Sequence, residues 1–322
     1  MYAVAGGVEI VLINLLRPTE VELTWVSDLV LSSALGIVVY LWRHLRATRL
    51  ALTERERAAL VIQTQLSMAE RMQRRLLPMV PPPADGFEWA AALTPAGRIG
   101  GDFYDFVQQS PGMWTVLIAD VSGKGIPAAM ALTLLRSTFR ALVREGAAPA
   151  EVARRLAAAL YDEWLGMPYV TCIIARFETA SRRLTYTNAG HPPGVVLGVN
   201  SRRYMTHGGP PLGLLADESC QEETLALDAG DTCVMVTDGI TEALEASAST
   251  LADIIAKHAT GRARSAIVCN AVMALGLEGK GPVERWEDDR TVVVVALKAR
   301  SAATPARAGA AVNVHPLQES NQ

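Results

Sequence analysis

Sulfur and imidazole ligands are scarce in this chain, with 4 cysteines and 5 histidines among 322 residues. Cys172, Cys220, Cys233 and Cys269 lie far apart and form no CxxC pair, which excludes the usual spacing of a zinc site. Two of them sit inside apolar strand-like runs, so buried reduced thiols of a cytosolic domain fit better than disulfides. No excess of cations exists either. Lys plus Arg is 30 and Asp plus Glu is 33, leaving a formal charge of -3, so nothing is available to displace counterions from a nucleic acid. A Cys-x5-Arg nucleophile loop is missing. So is a P-loop: Lys124 in SGKG falls short of GxxxxGK[ST], and no strand–loop–helix nucleotide site follows. What the chain has is apolar residues, 50% against 20% charged, which excludes a disordered or collagen-like polymer.

The mean hydropathy of +0.20 points to a membrane segment. Residues 23–42 read LTWVSDLVLSSALGIVVYLW, with Asp28 as the one charge. That length suits a helical span, and Trp25, Tyr40 and Trp42 sit where interfacial aromatics belong. Arg43, His44, Arg46 and Arg49 follow the run rather than precede it, unlike a signal peptide, and by the positive-inside rule they place the remainder in the cytoplasm. The expectation is a membrane segment over 1–43, with Val8–Leu16 as a partial earlier span or an interfacial helix. Residues 44–80 form the next unit, a helical linker without Gly or Pro up to Leu77. Ala59, Ile62, Leu66, Ala69, Gln73 and Leu76 fall at a/d spacing, which leaves two readings open, a solvated connector or a parallel homodimer helix carrying a signal. Pro78 and the run Pro81–Pro83 end it.

Residues 81–299 alternate differently. Apolar β-rich runs at 113–119, 169–177, 184–187, 194–199, 232–236 and 291–297 predict strands. Helices are expected near 127–144, 149–165, 250–259 and 262–277. Helices grouped in pairs between strands favour an antiparallel α+β layer fold over a doubly wound sheet. The Ala- and Pro-rich tail, 300–322, is expected to be disordered.

Four acidic stretches share one context, an aspartate beside Gly or Asp at the edge of an apolar run. They are GGDFYD (Asp102, Asp105), TVLIADVSGKG (Asp120), CVMVTDGITE (Asp238, Glu242) and WEDDRTVVVVA (Asp288, Asp289). Each alone suits a turn or an N-cap. Gathered on one rim they would repel unless a cation neutralised them, and an all-oxygen donor set points to Mg²⁺ or Mn²⁺ rather than Zn²⁺.

The ordered series LLP, GGDFYDF, DVSGKGIPAAM, NAGHPP, PLG, TDGITE and DDRTVVVVA, over about 68–297, resembles the bacterial SpoIIE/RsbU-type branch of the PPM protein serine/threonine phosphatases. The resemblance implies a PPM-type α/β/β/α sandwich of two antiparallel sheets flanked by helices, holding two Mn²⁺ or Mg²⁺ ions. By motif match Asp120 would bridge both ions, the Val121 carbonyl would face one, and Asp238 and Asp288 would complete the ligand set of the second ion. Asp102 would stand nearby, directly or through water, with Asp289 the fallback if the DD register is read one residue off. The implied reaction is hydrolysis of phosphoserine or phosphothreonine by an activated water. Where eukaryotic relatives carry a histidine proposed as general acid, this chain has Ser122. Arg98 could reach a phosphate oxygen, or be a solvated loop arginine; His191 reads as loop-bracing. The implied substrate is a phosphorylated STAS-type anti-sigma-factor antagonist in a partner-switching pathway, acted on at the bacterial cytoplasmic membrane. A catalytically inactive scaffold and a hydrolase of small phosphoesters are the alternatives. The sequence contains no recognisable sensor domain.

Overall fold

The structure is a computed structural model that describes residues 20–84, 86–97, 99–123, 125–164, 168–198, 200–215, 219–244, 248–258, 265–278 and 288–298. Arg98, Lys124, the 8–16 run and the tail therefore lie outside the described residues. By internal contacts the chain divides into two units, Met1–Thr64 and Gln65–Gln322.

The first unit holds most of helix α1, Glu20–Leu76, which runs unbroken for 57 residues where the sequence suggested a membrane segment followed by a separate linker. Among the described residues no helix is long and apolar enough to cross a membrane. The side chains of 23–28 lie outside the described set, and the exposed apolar stretch that is described runs from Leu29 to Trp42 before Arg43. The expected span is not borne out among the described residues. Of the a/d positions, Ala59 and Ile62 are exposed, while the side chains of Leu66, Ala69, Gln73 and Leu76 fall outside the described residues.

The second unit is built from eleven described strands. One sheet takes the order β1 (Phe87–Thr94), β11 (Arg290–Leu297), β10 (Thr232–Val236), β6 (Gly194–Leu197), β7 (Arg202–Met205) and is antiparallel throughout. The other takes β2 (Asp102–Ser110), β3 (Met113–Val121), β4 (Val170–Glu178), β5 (Arg183–Ala189), β8 (Gly208–Gly209), with β9 (Glu223–Ala226) also on β5. This second sheet corrects the expectation of two antiparallel sheets, because β5 and β8 pair parallel. The β6–β7 hairpin lies in the first sheet between them, so the chain crosses away after β5 and returns running the same way.

Period-two alternation assigns the faces. In β3, Trp114, Val116 and Ile118 pack between the sheets with Trp89, Phe177 and Val293. The alternate residues Leu117, Ala119 and Val121 pack outward against α2 (Ile126–Arg144) and α3 (Pro149–Trp164). On the first sheet Val234, Val236, Val292 and Val294 face α5 (Ala248–His258) and α6 (Ser265–Glu278). A short α4, Asp238–Ala243, follows β10 directly. Three apolar interfaces, helix–sheet, sheet–sheet and sheet–helix, make a four-layer sandwich. Strands buried on both faces read as continuous apolar runs, and each fully buried large side chain contributes about 1.5–3 kcal/mol.

Candidate metal centre

Alternation also decides which carboxylates meet. Asp102 has the parity of Tyr104 and Phe106, which face the other sheet, whereas Asp105 has that of Phe103 and Val107, which face the helices. Asp105 is fully buried and gripped by Arg140 of α2, whose Nε donates to Oδ2 and Nη2 to Oδ1, both at 2.6 Å. Of the two aspartates in GGDFYD, one belongs to the rim and the other pins a helix to its sheet.

Asp102 opens β2 and is the cross-strand partner of Asp120, at the end of β3. Its side chain is 2% exposed, and Oδ2 accepts hydroxyl hydrogen bonds from Thr237 (2.7 Å) and Thr291 (2.6 Å), both on the opposite sheet's side of the sandwich. Burial holds its pKa well above the ordinary carboxylate value, with the charges of Asp120 and Asp289 pushing the same way against the two hydroxyls. Beside it Gly101 leaves a small space. A Cβ there would sit 2.5 Å from the Val121 carbonyl oxygen, 2.8 Å from Asp120 Oδ1 and 3.5 Å from the Gly123 carbonyl oxygen. Three oxygens thus surround one point that only a glycine leaves open.

Asp238 is the first residue of α4, and its Oδ1 is buried without a hydrogen-bond partner. Burial raises its pKa, helped by the neighbouring charges of Asp288 and Glu242. The adjacent pair Asp288–Asp289 splits in role. Asp289, 2% exposed, accepts backbone N–H donors from Ala96 (2.7 Å), Gly101 (2.6 Å) and Asp102 (3.3 Å), so it fastens the loop that leads into β2. Asp288 is half-buried and stands by Asp238.

The remaining expected residues are braces. Ser122 exchanges bonds with Tyr169, its Oγ accepting from the Tyr169 N–H at 2.9 Å. The Val121 side chain is buried against the α2–α3 layer, leaving its carbonyl at the Gly101 space. His191 is buried, with Nδ1 2.9 Å from Thr171 Oγ1, while Asn188 caps its backbone on both sides. Burial drives its pKa down to about 3, so the ring is neutral, away from solvent and unable to shuttle protons to a substrate.

The structure brings Asp102 to Asp120 and Asp238 to Asp288, and joins the two groups through Thr237, the residue before Asp238. Among the described residues no three carboxylate, imidazole or thiolate side chains converge tightly enough to form a ready ion site. The donors nonetheless fit a hard divalent cation. They are all oxygens, neighbouring carboxylates help raise the pKa of Asp102 and of Asp238, one oxygen is buried unpartnered, and carbonyls complete the Gly101 space. A groove of about 630 Å³ beside Tyr204, Glu223 and Leu225 is lined by none of these aspartates. Thr237 and Thr291 were not anticipated from the sequence. The signal was available, since they stand two residues beyond Met235 and two before Val293, on the same inward face.

The family model for stage II sporulation protein E (SpoIIE) matches residues 110–298. The chain belongs to the SpoIIE family. It is 28% identical over 183 residues to the phosphoserine phosphatase RsbU of Bacillus subtilis, covering 56% of this chain and 54% of that protein. It is 26% identical over 183 residues to the phosphoserine phosphatase RsbP of the same organism, covering 55% of this chain and 45% of that protein. The SpoIIE-family chain thus spans about half the length of these curated relatives. Its fold is similar to the RsbU and RsbW domains of Rv1364c from Mycobacterium tuberculosis, with a TM-score of 0.59, 27% identity and coverage of 70% of this chain and 63% of that one. It is also similar to the PP2C domain of SiaA from Pseudomonas aeruginosa, with a TM-score of 0.62 and 18% identity, covering 74% of this chain and 97% of that one.

Proposed function

We propose that this chain is a divalent-cation-dependent protein serine/threonine phosphatase that hydrolyses phosphoserine or phosphothreonine. The observation that carries the reading is the oxygen rim where both sheets end: Asp102 and Asp120 with the Gly101 space, and Asp238, one of whose oxygens is buried without a partner, with Asp288. The curated names of RsbU and RsbP as phosphoserine phosphatases support it. Asp120, Asp102, the Val121 carbonyl, Asp238 and Asp288 would hold Mn²⁺ or Mg²⁺, two ions in the arrangement the motifs suggest. When bound, such ions lower the pKa of water and neutralise phosphoryl oxygens. The chain's own contribution is placement. Asp289 sets the loop before Asp102, Ser122 holds the turn after Asp120 against Tyr169, and His191 braces the NAGH turn behind them.

In this reading the substrate is a phosphoprotein of a partner-switching pathway, a STAS-type antagonist. Its support is the family and the Mycobacterium tuberculosis relative, which carries RsbU and RsbW domains in one structure. The first 43 residues would attach the domain to the bacterial cytoplasmic membrane from the cytoplasmic side, with a homodimer formed along α1. The exposed apolar run Leu29–Trp42, followed by Arg43, His44 and Arg46, supports this attachment; membrane fractionation with and without residues 1–43 tests it.

The deciding experiment compares turnover of a phosphoserine protein and of p-nitrophenyl phosphate with Mn²⁺, with Mg²⁺ and after exhaustive EDTA treatment. Cation-dependent turnover that favours the phosphoprotein is expected. Full activity after chelation would sink the mechanism. No activity on either substrate would favour an inactive scaffold, and activity on the small ester alone a small-phosphoester hydrolase.

A further inference from the structure

Asp102 comes from one sheet and Asp238 and Asp288 from the side of the other, so something must fix the first carboxylate relative to the second pair. The bonds to Asp102 do this from across the sandwich. Thr237 directly follows β10 and Thr291 lies in β11, both with no exposed surface. They are tied to each other twice, by Thr237 N–H donating to the Thr291 carbonyl (3.1 Å) and Thr291 N–H donating to Thr237 Oγ1 (3.0 Å). The second bond occupies a lone pair of the Thr237 hydroxyl, which turns its proton toward Asp102. Both hydroxyls then donate to one oxygen, Oδ2. Two such donors fix the rotation of the carboxylate and leave Oδ1 as the oxygen to be offered elsewhere. The first donor immediately precedes Asp238 in the chain, and the second follows Asp288 by three residues. Movement of Asp102 is therefore movement relative to the backbone that carries the other pair.

We propose that Thr237 and Thr291 are positioning residues that set the affinity of the site for its divalent cation, by fixing the Asp102 carboxylate through Oδ2 to the sheet that leads into Asp238 and Asp288. The inference rests on the proposed cation-dependent phosphatase reading and adds to it the residues that determine how tightly the ion is held. Outer partners of this kind alter metal affinity by about 10–100-fold when removed.

The test measures Mn²⁺ binding to the full chain directly, by electron paramagnetic resonance of free Mn²⁺. Thr237→Val and Thr291→Val keep the shape and remove the hydroxyl; each is expected to weaken Mn²⁺ binding by about tenfold. Thr237→Ser and Thr291→Ser keep the hydroxyl and should bind within about twofold of the unaltered protein. At saturating Mn²⁺ the valine variants should regain most of their kcat with KM for the phosphoprotein unchanged, which a distorted substrate site would not allow. The comparison is repeated on Asp102→Asn, whose neutral amide tolerates loss of a donor. There the valine changes should weaken binding by less than about twofold, and a full tenfold loss in that background would overturn the assignment to Asp102. Unaltered protein that binds Mn²⁺ while the valine variants bind it equally well would overturn this inference alone. Unaltered protein that binds no Mn²⁺ would overturn the functional reading together with it.

Discussion

Asp102 and Asp238 reach the same end of the sandwich under contrasting conditions. Asp102 sits inside a strand, 2% exposed, and its charge is met by two hydroxyls from across the interface. Asp238 opens a six-residue helix, is half-buried, and has one oxygen with no partner. Burial raises both carboxyls, but like charges reach them from different neighbours, Asp120 and Asp289 for the first, Asp288 and Glu242 for the second. The contrast teaches that one half of the rim is organised in advance while the other depends on what binds it. Removing a donor should therefore affect the two halves differently.

The largest effect is expected at the organised half. Asp120→Asn should lower turnover by at least about three orders of magnitude at any Mn²⁺ concentration. Asp238→Asn should show a comparable defect at low Mn²⁺ that high Mn²⁺ partly restores. Titrating Mn²⁺ in steady-state assays checks this, and equal rescue of both variants would erase the distinction.

Next come the neighbours Asp288 and Asp289. Asp289→Ala strands three backbone N–H groups of the loop before β2 and should lower unfolding stability by about 3 kcal/mol, read from denaturant melts in EDTA. Asp288→Ala should leave that stability within about 0.5 kcal/mol and raise the Mn²⁺ requirement instead. The opposite pattern would exchange their roles.

Asp102→Asn tests the buried charge. Its folded pKa stands above the ordinary carboxylate value of 3.8, so between those values the folded state holds more protons than the unfolded one. Metal-free stability therefore falls as pH rises through that window. The asparagine variant should melt higher than the unaltered protein in EDTA, by about 2–4 °C for each kcal/mol relieved, and should gain less from added Mn²⁺.

The smallest effect is assigned to His191. Its folded pKa of about 3 lies below the ordinary 6.5, so the stability it contributes is full above 6.5 and is lost as pH falls toward 3. His191→Gln should flatten that part of the pH–stability curve while altering neutral-pH turnover much less than Asp120→Asn. An unchanged acid slope would show that the ring is not held neutral.

The sequence made some parts of this molecule legible and hid others for identifiable reasons. β3, β4, β10 and β11 are buried on both faces, so their apolar runs stand out, and α2 and α3 show helical spacing such as Ala128, Leu132, Leu135 and Phe139. β1 was hidden by its alanines, which favour helix in isolation, and β2 by its carboxylates, which read as a motif rather than a strand. β7 and β9 are short and polar, and α4 is too short for any period to emerge. At the site, the aspartates were visible from their company of glycines. What was not visible was that Asp105 faces a helix, that Asp289 holds a loop, and that two threonines hold Asp102. Each depends on strand parity, which requires knowing where the strands begin.

The pairing of β1 with β11 has a consequence for synthesis. β1 meets its partner β11 across about 200 residues, and the loop before β2 is fastened by Asp289, which follows it by 188 residues at the Gly101 contact. A ribosome releases the N-terminal part of the domain long before either partner exists. Trp89 and Phe87 must wait without their sheet, and Asp102 without its hydroxyls, until the last strand emerges. The nascent chain is thereby kept from assembling its acidic rim early, and a chain truncated before residue 288 would lack both the edge-strand partner and the loop fastening.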